Sequence, residues 1–270
     1  MTSPFNYAGK RVIVTGAASG MGAATVAMLA DCGAEVHALD IAPVDGPAAK
    51  TYETDCGDPA SIDTTIDAIG GPVHGLFNVA GVPQTHPPER VFGVNFLGLR
   101  HITERTLESM SEGAAVANVA SKAGSGWANH LAPIQDLLAT PDYSSGAQWA
   151  TENLAEQGDP YFFSKECVVV YTMQRAHDLL ERGIRVNCLS PGPVESPMMP
   201  SFREALGSSL LDWTAEQVGR MGRPDEMAGP LVFLNSDEAS YVNGFDLMAD
   251  GGFTGAISLG LVDFSTLPAS

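Results

Sequence analysis

RVIVTGAASGMGAATVAMLAD, Arg11 to Asp31, reads as a strand, a glycine turn and a helix with nothing between them. Arg11–Thr15 is short, apolar and β-branched, the pattern of a buried strand. Gly16, Gly20 and Gly22 permit a tight strand-to-helix turn and let backbone approach a ligand closely. The helix expected over 23–31, stopped by Gly33, aims its free N–H groups and positive dipole end into that turn. A glycine triplet alone is a weak sign, and its context strengthens it. A second strand, Glu35–Asp40, ends in a carboxylate 18 residues past Gly22. An acid about 20 residues on holds a ribose 2′-hydroxyl in dinucleotide-binding βαβ units. No Arg or Lys lies between Thr15 and Ala49 to receive a 2′-phosphate. The segment therefore predicts NAD(H) over NADP(H), held by Gly16, Ser19, Gly20, Met21, Gly22, Asp40 and Ile41.

Outward from this unit, strand patterns recur at 73–79, 114–119, 184–189 and 245–248. Helical periods fall between them at 59–69, 88–110, 162–180 and 225–234. Such alternation predicts an α/β fold, a doubly wound parallel sheet with helices on both faces and right-handed crossovers. No repeat, low-complexity tract or long linker interrupts it, so residues 1–270 are expected to form a single domain.

Composition limits the partners. The 270 residues are 44% hydrophobic and 17% charged, ample for a packed core. Asp and Glu number 32 against 14 Lys and Arg, a formal net charge of −18. Nucleic acids and anionic membrane surfaces want clustered cations, so neither is expected as a partner. Lys10, Lys50, Lys122 and Lys165 are the whole lysine complement, which gives weight to a lysine inside a motif. Cys32, Cys56, Cys167 and Cys188 are scattered, and no His clusters with them, so buried thiols are expected and no metal. Residues 1–10 lack the apolar stretch of a signal peptide, and no apolar run reaches the length of a bilayer span. A soluble cytoplasmic enzyme is the expectation.

Tyr161 and Lys165 stand at i and i+4, one face of a helix. A phenol ionises near 10, too high for an efficient base at neutrality, and a neighbouring ammonium favours the phenolate. The spacing predicts a general acid/base. Alone it is a common packing pattern. Here it follows, in order, the Thr15–Gly22 turn, Asn78-Val79-Ala80-Gly81 after a strand, Asn95 in a helix and Ser121 after the next strand. Pro191-Gly192 comes after another. This set resembles the short-chain dehydrogenase/reductase family, in its single-domain form, over essentially the whole chain. The resemblance implies a seven-stranded Rossmann-type sheet and hydride transfer between an alcohol or carbonyl carbon and nicotinamide. It makes Tyr161 the proton donor and acceptor for the substrate oxygen. Lys165 would bind the nicotinamide ribose and depress the Tyr161 pKa. It also has Ser121 orient the substrate oxygen and Asn95 hold a water that relays protons from Lys165. Asn78, Ala80 and Gly81 would lie along the adenosine, Asp55 beside Cys56 at the adenine, and Pro191, Gly192, Val194 and Ser196 over the nicotinamide.

The chain departs from the commonest pattern by the 40 residues separating Ser121 from Tyr161. A loop that long is expected to have its own structure. Two short helices at 128–138 and 148–156 are predicted inside an insert of about 125–160, overhanging the substrate pocket. Trp127, Leu131 and Trp149 are its candidate walls, with packing onto the body as the plainer role. A mobile apolar lid is expected at about 194–217, rich in Met and Leu, with Met198 against the substrate. The insert and Ser190–Val194 resemble the coniferyl-alcohol and 3α-hydroxysteroid dehydrogenase branch. A hydrophobic alcohol, aromatic, alicyclic or steroid-like, and its ketone or aldehyde are the expected reactants rather than a sugar or a charged acid, turned over by a homodimer or homotetramer. A non-catalytic NAD(H)-sensing protein on the same fold is the competing reading.

Overall fold

The computed structural model describes residues 4–267, so the first three residues of the stretch read for a leader lie outside the described ones. Seven parallel strands form one sheet in the order β3-β2-β1-β4-β5-β6-β7. They are β1 Arg11–Thr15, β2 Glu35–Asp40, β3 Lys50–Glu53, β4 Val73–Asn78, β5 Met110–Val119, β6 Arg185–Pro191 and β7 Asp246–Ala249. The helices are α1 Gly20–Asp31, α2 Pro59–Ile69, α3 Pro88–Phe92, α4 Leu99–Leu107, α5 Leu131–Leu138, α6 Tyr143–Asn153 and α7 Pro160–Asp178. After them come α8 Met199–Leu206, α9 Ser208–Val218, α10 Pro224–Asn235 and α11 Phe253–Ser258. The doubly wound Rossmann-type sheet read from the sequence is the one observed.

Strand side chains alternate between two cores. Val12 and Val14 of β1 pack with Val26 and Leu29 of α1 and Leu231 and Val232 of α10. Ile13 points the other way, to Ile62 of α2 and Ile102 of α4. A Cβ at Gly16 would stand 2.7 Å from Ala80 Cα, and one at Gly22 would stand 1.9 Å from the Gly16 carbonyl oxygen. These glycines let β1, α1 and the end of β4 meet at the point where the strand order reverses.

Two elements differ from expectation. β3 is a seventh strand with no apolar run to announce it. Lys50-Thr-Tyr-Glu lies on the sheet edge, and its side chains are mostly exposed. The helix expected over 88–110 is broken into α3, a π-helical turn at Gly93–Gly98 and α4. All six residues of that turn are buried, and a Cβ at Gly98 would fall 1.7 Å from the Cys56 carbonyl oxygen. The turn packs closely on the loop after β3.

The insert is α5 and α6 between two 3₁₀ turns, Lys122–His130 and Leu154–Gln157. Ile134, Leu137, Trp149 and Leu154 bury against Phe92, Phe96 and Phe163. Polar bonds fasten it: Tyr143 Oη donates to the Gly57 carbonyl (2.8 Å) and Arg100 to Thr140 Oγ1 (2.9 Å). His130 meets Glu166 of α7 at 2.6 Å. All four cysteines are buried. No helix of the described residues is long and apolar enough to cross a membrane.

Candidate active site

A cleft of about 560 Å³ opens at the carboxyl ends of β1 and β4 and runs on past β5 and β6. At one end stand Gly16, Ser19, Gly20, Met21, Gly22 and Asp40. Ser19 occupies the N-cap of α1 without a side-chain capping bond. The first-turn N–H groups of α1 thus face the cleft, and the residues present fit a pyrophosphate. Asp40 is held in place, its Oδ2 accepting from Ala18 N and its Oδ1 from Ala42 N, both at 2.9 Å. The donor turn and the fixed carboxylate together fit an adenosine dinucleotide with a free 2′-hydroxyl.

At the centre lie Ser121, Tyr161 and Lys165. Tyr161 is the second residue of α7, whose N-cap Asp159 accepts from Tyr161 N (2.8 Å), so the cap sets the tyrosine's place on the helix. One turn on, Lys165 is 4% exposed. Its Nζ donates to the Val119 carbonyl (2.9 Å) and lies 5.7 Å from the Tyr161 ring centroid. Burial pushes the Tyr161 phenol up to about 12, although a hydrogen bond from Ser121 pulls the other way. Burial also brings Lys165 down to about 8. Desolvation is the largest influence on the phenol, and the Ser121 hydrogen bond is the influence that opposes it.

Asn95 is fully buried in the π turn, outside the cleft wall. Its Oδ1 accepts from Val82 N (2.8 Å) and its Nδ2 donates to the Val82 carbonyl (3.0 Å), which clasps the loop after β4. That loop brings Ala80 and Gly81 into the cleft. Asn78 is buried below, donating to Thr103 Oγ1 and Asn118 Oδ1 at 2.9 Å each, a brace within the sheet instead of a cleft residue. Pro191, Gly192, Val194 and Ser196 line the cleft as expected.

Several expected contacts are not brought to the cleft. Asp55 accepts twice from Arg90 Nη1 (2.7 and 2.9 Å), which turns its carboxylate to α3. Cys56 is buried beside it and Ile41 is 59% exposed, and neither lines the cleft. Trp127 and Leu131 line a separate shallow groove with Val170 and Met173 of α7, because the insert packs on the outer side of that helix. Trp149 is buried with its ring stacked on Phe163. No residue of 124–160 lines the cleft, so the insert does not overhang it.

The far wall is apolar. Met198, Met199, Phe202, Leu206, Leu210 and Leu211 face inward, and Phe202 sets its ring against Tyr161 at 5.3 Å. The C-terminal stretch supplies Phe253, Ile257, Phe264 and Leu267, a contribution missed in the sequence. Trp213 ties it to α9, its Nε1 donating to Thr266 Oγ1 at 2.9 Å. Only the clustered apolar residues after Gly252 hinted at this wall. Among the described residues no three His, Cys, Asp or Glu converge as metal ligands.

Residues 10–132 match the family model described as short chain dehydrogenase, and residues 145–254 match the Enoyl-(Acyl carrier protein) reductase model. The coniferyl-alcohol dehydrogenase of Pseudomonas sp. (strain HR199) is 32% identical over 244 residues, 90% of this chain and 96% of that protein. The 3-alpha-hydroxysteroid dehydrogenase/carbonyl reductase of Comamonas testosteroni is 29% identical, covering 89% of this chain and 95% of its own. The crystal structure of the 3-alpha-hydroxysteroid dehydrogenase from Pseudomonas sp. B-0831 complexed with NADH is 28% identical with a TM-score of 0.78, spanning 94% of this chain and 100% of that one.

Proposed function

Because the chain belongs to the short-chain dehydrogenase/reductase family, we propose that it is an NAD(H)-dependent oxidoreductase that interconverts a hydrophobic alcohol and its carbonyl, with Tyr161 as general acid/base. The observation that carries this reading is the placing of Tyr161, Ser121 and Lys165 in one cleft. Asp40 stands at its dinucleotide end and an apolar wall closes the other. Nicotinamide, when bound, takes or gives the hydride. Tyr161 Oη moves the proton to or from the substrate oxygen, and Ser121 Oγ orients that oxygen and steadies its developing charge. Lys165 contributes a cation beneath the phenol, and Asn95 acts indirectly by fixing the Gly81–Val82 loop. Phe202 and the methionines exclude water and accept an aromatic, alicyclic or steroid-like body.

The reading is tested by following nicotinamide absorbance with NAD or NADP against cinnamyl-type alcohols, hydroxysteroids, cyclic terpene alcohols and small polyols. Turnover of an apolar class with NAD is expected. Tyr161→Phe is expected to lower it by about 10²–10⁴-fold, with NADH binding retained. Tight NADH binding with silence across the panel would favour the sensing role instead.

A further inference from the structure

Lys122 follows Ser121 directly and lines the cleft. Its Nζ lies over the Phe253 ring, 5.2 Å from the centroid. Among the described residues it meets no carboxylate at ion-pair distance. Lys10 pairs with Asp237 at 2.7 Å, Lys165 donates to a backbone carbonyl, and Lys50 is exposed on the β3 edge, away from the cleft. In a chain with 32 acidic residues against 14 basic ones, a carboxylate is the easiest partner to supply, yet this ammonium has a ring.

Its surroundings sharpen the contrast. The charged residues lining the cleft are Asp40, Lys122 and Lys165. Asp40 stands at the dinucleotide end, and Lys165 is buried beneath the tyrosine, so Lys122 is the one charge presented to the substrate half among the described residues. The walls around it are Met, Leu, Ile, Phe and Trp. Phe253 itself is braced, 5% exposed and set edge-on against Trp213 at 6.0 Å. The cation–π contact places the partly buried ammonium against an apolar wall, where its pull on an anion is stronger than in bulk water. A neutral apolar alcohol needs no such group. An anionic one does, because a net charge of −18 opposes its approach.

Resting on the dehydrogenase reading above, we propose that the substrate carries a carboxylate on its apolar body and that Lys122 binds it against the C-terminal wall while the reacting oxygen lies at Ser121 and Tyr161. The test uses equilibrium binding, not turnover. Benzylic alcohols with alkanoate tails of increasing length, and their methyl esters, are titrated calorimetrically into the NADH-loaded protein. For the tail that fits, the acid is expected to bind about tenfold tighter than its ester at low salt. Lys122→Met is expected to bring the two to equal affinity, and Lys122→Arg to keep the preference. An ester bound as tightly as its acid at every tail length, or a preference that survives in Lys122→Met, overturns the proposal. A protein that fails to take up NADH at the loading step would instead fault the dehydrogenase reading.

Discussion

Asp40 is a carboxylate whose two oxygens are already steered by backbone N–H groups, from Ala18 on one side and Ala42 on the other. Held this way, its charge faces the place where a ribose 2′-group would lie, which is the basis of the proposed preference for NAD over NADP. Asp40→Ala removes both the charge and a charge-assisted hydrogen bond to a ribose hydroxyl, a loss of about 1.5–3 kcal/mol. The expected result is about 10–100-fold weaker use of NAD and a narrowed preference over NADP, read as the ratio of kcat/KM for the two. An unchanged ratio would remove Asp40 from the ribose. Residues such as Asp40, Gly22, Tyr161 and Lys165 were legible because their meaning lies in local spacing along one turn or one helix. The Asp55–Arg90 pair was not legible for the opposite reason: Arg90 lies on α3, and only the fold brings the two within 2.7 Å.

At the scale of elements, the insert has the clearest consequence. Its helices were foreseeable from periodicity and from the Thr140–Asp142 break, where Asp142 caps α6 by accepting from Ser145 N at 2.8 Å. Their destination was not, since an amphipathic helix declares that it buries a face but not against what. Trp149 stacks on Phe163 at 6.1 Å, with its Nε1 donating to Asp136 at 2.6 Å. It joins α6 to α5 and α7 outside the cleft. Trp149→Ala is therefore expected to cost about 3–5 kcal/mol in denaturant unfolding. KM for substrate should stay near its native value, because the insert offers the cleft no wall. A large change in KM with stability intact would return the insert to the substrate. β3 and the π turn escaped the sequence for related reasons: one is an exposed edge whose single hydrophobe is Tyr52, the other lies where Gly98 packs against the Cys56 carbonyl, a contact only the fold creates.

Across the whole molecule, the reversal of strand order between β1 and β4 gathers the glycine turn, Ser121, Tyr161, Lys165 and the apolar wall into one cleft, and the same enclosure desolvates the groups inside it. Lys165 is taken from water without a carboxylate partner, and its pKa falls from 10.5 to about 8. Below the folded value both states carry the proton, and the folded state bears the full desolvation cost, on the order of 3 kcal/mol. Between the two values the unfolded chain binds more protons than the folded one, so this residue's contribution to stability rises with pH. Lys165→Met removes the titration. Relative to the native chain, the variant is expected to be most favoured at pH 7, less the cost of leaving the Val119 carbonyl without its donor, and to lose that advantage steadily toward pH 10. Urea unfolding of both proteins at unit pH intervals isolates the slope, because groups not coupled to Lys165 cancel in the difference. A difference that stays flat with pH would mean that water reaches Lys165, and that the apolar enclosure around Tyr161 is more open than its geometry describes.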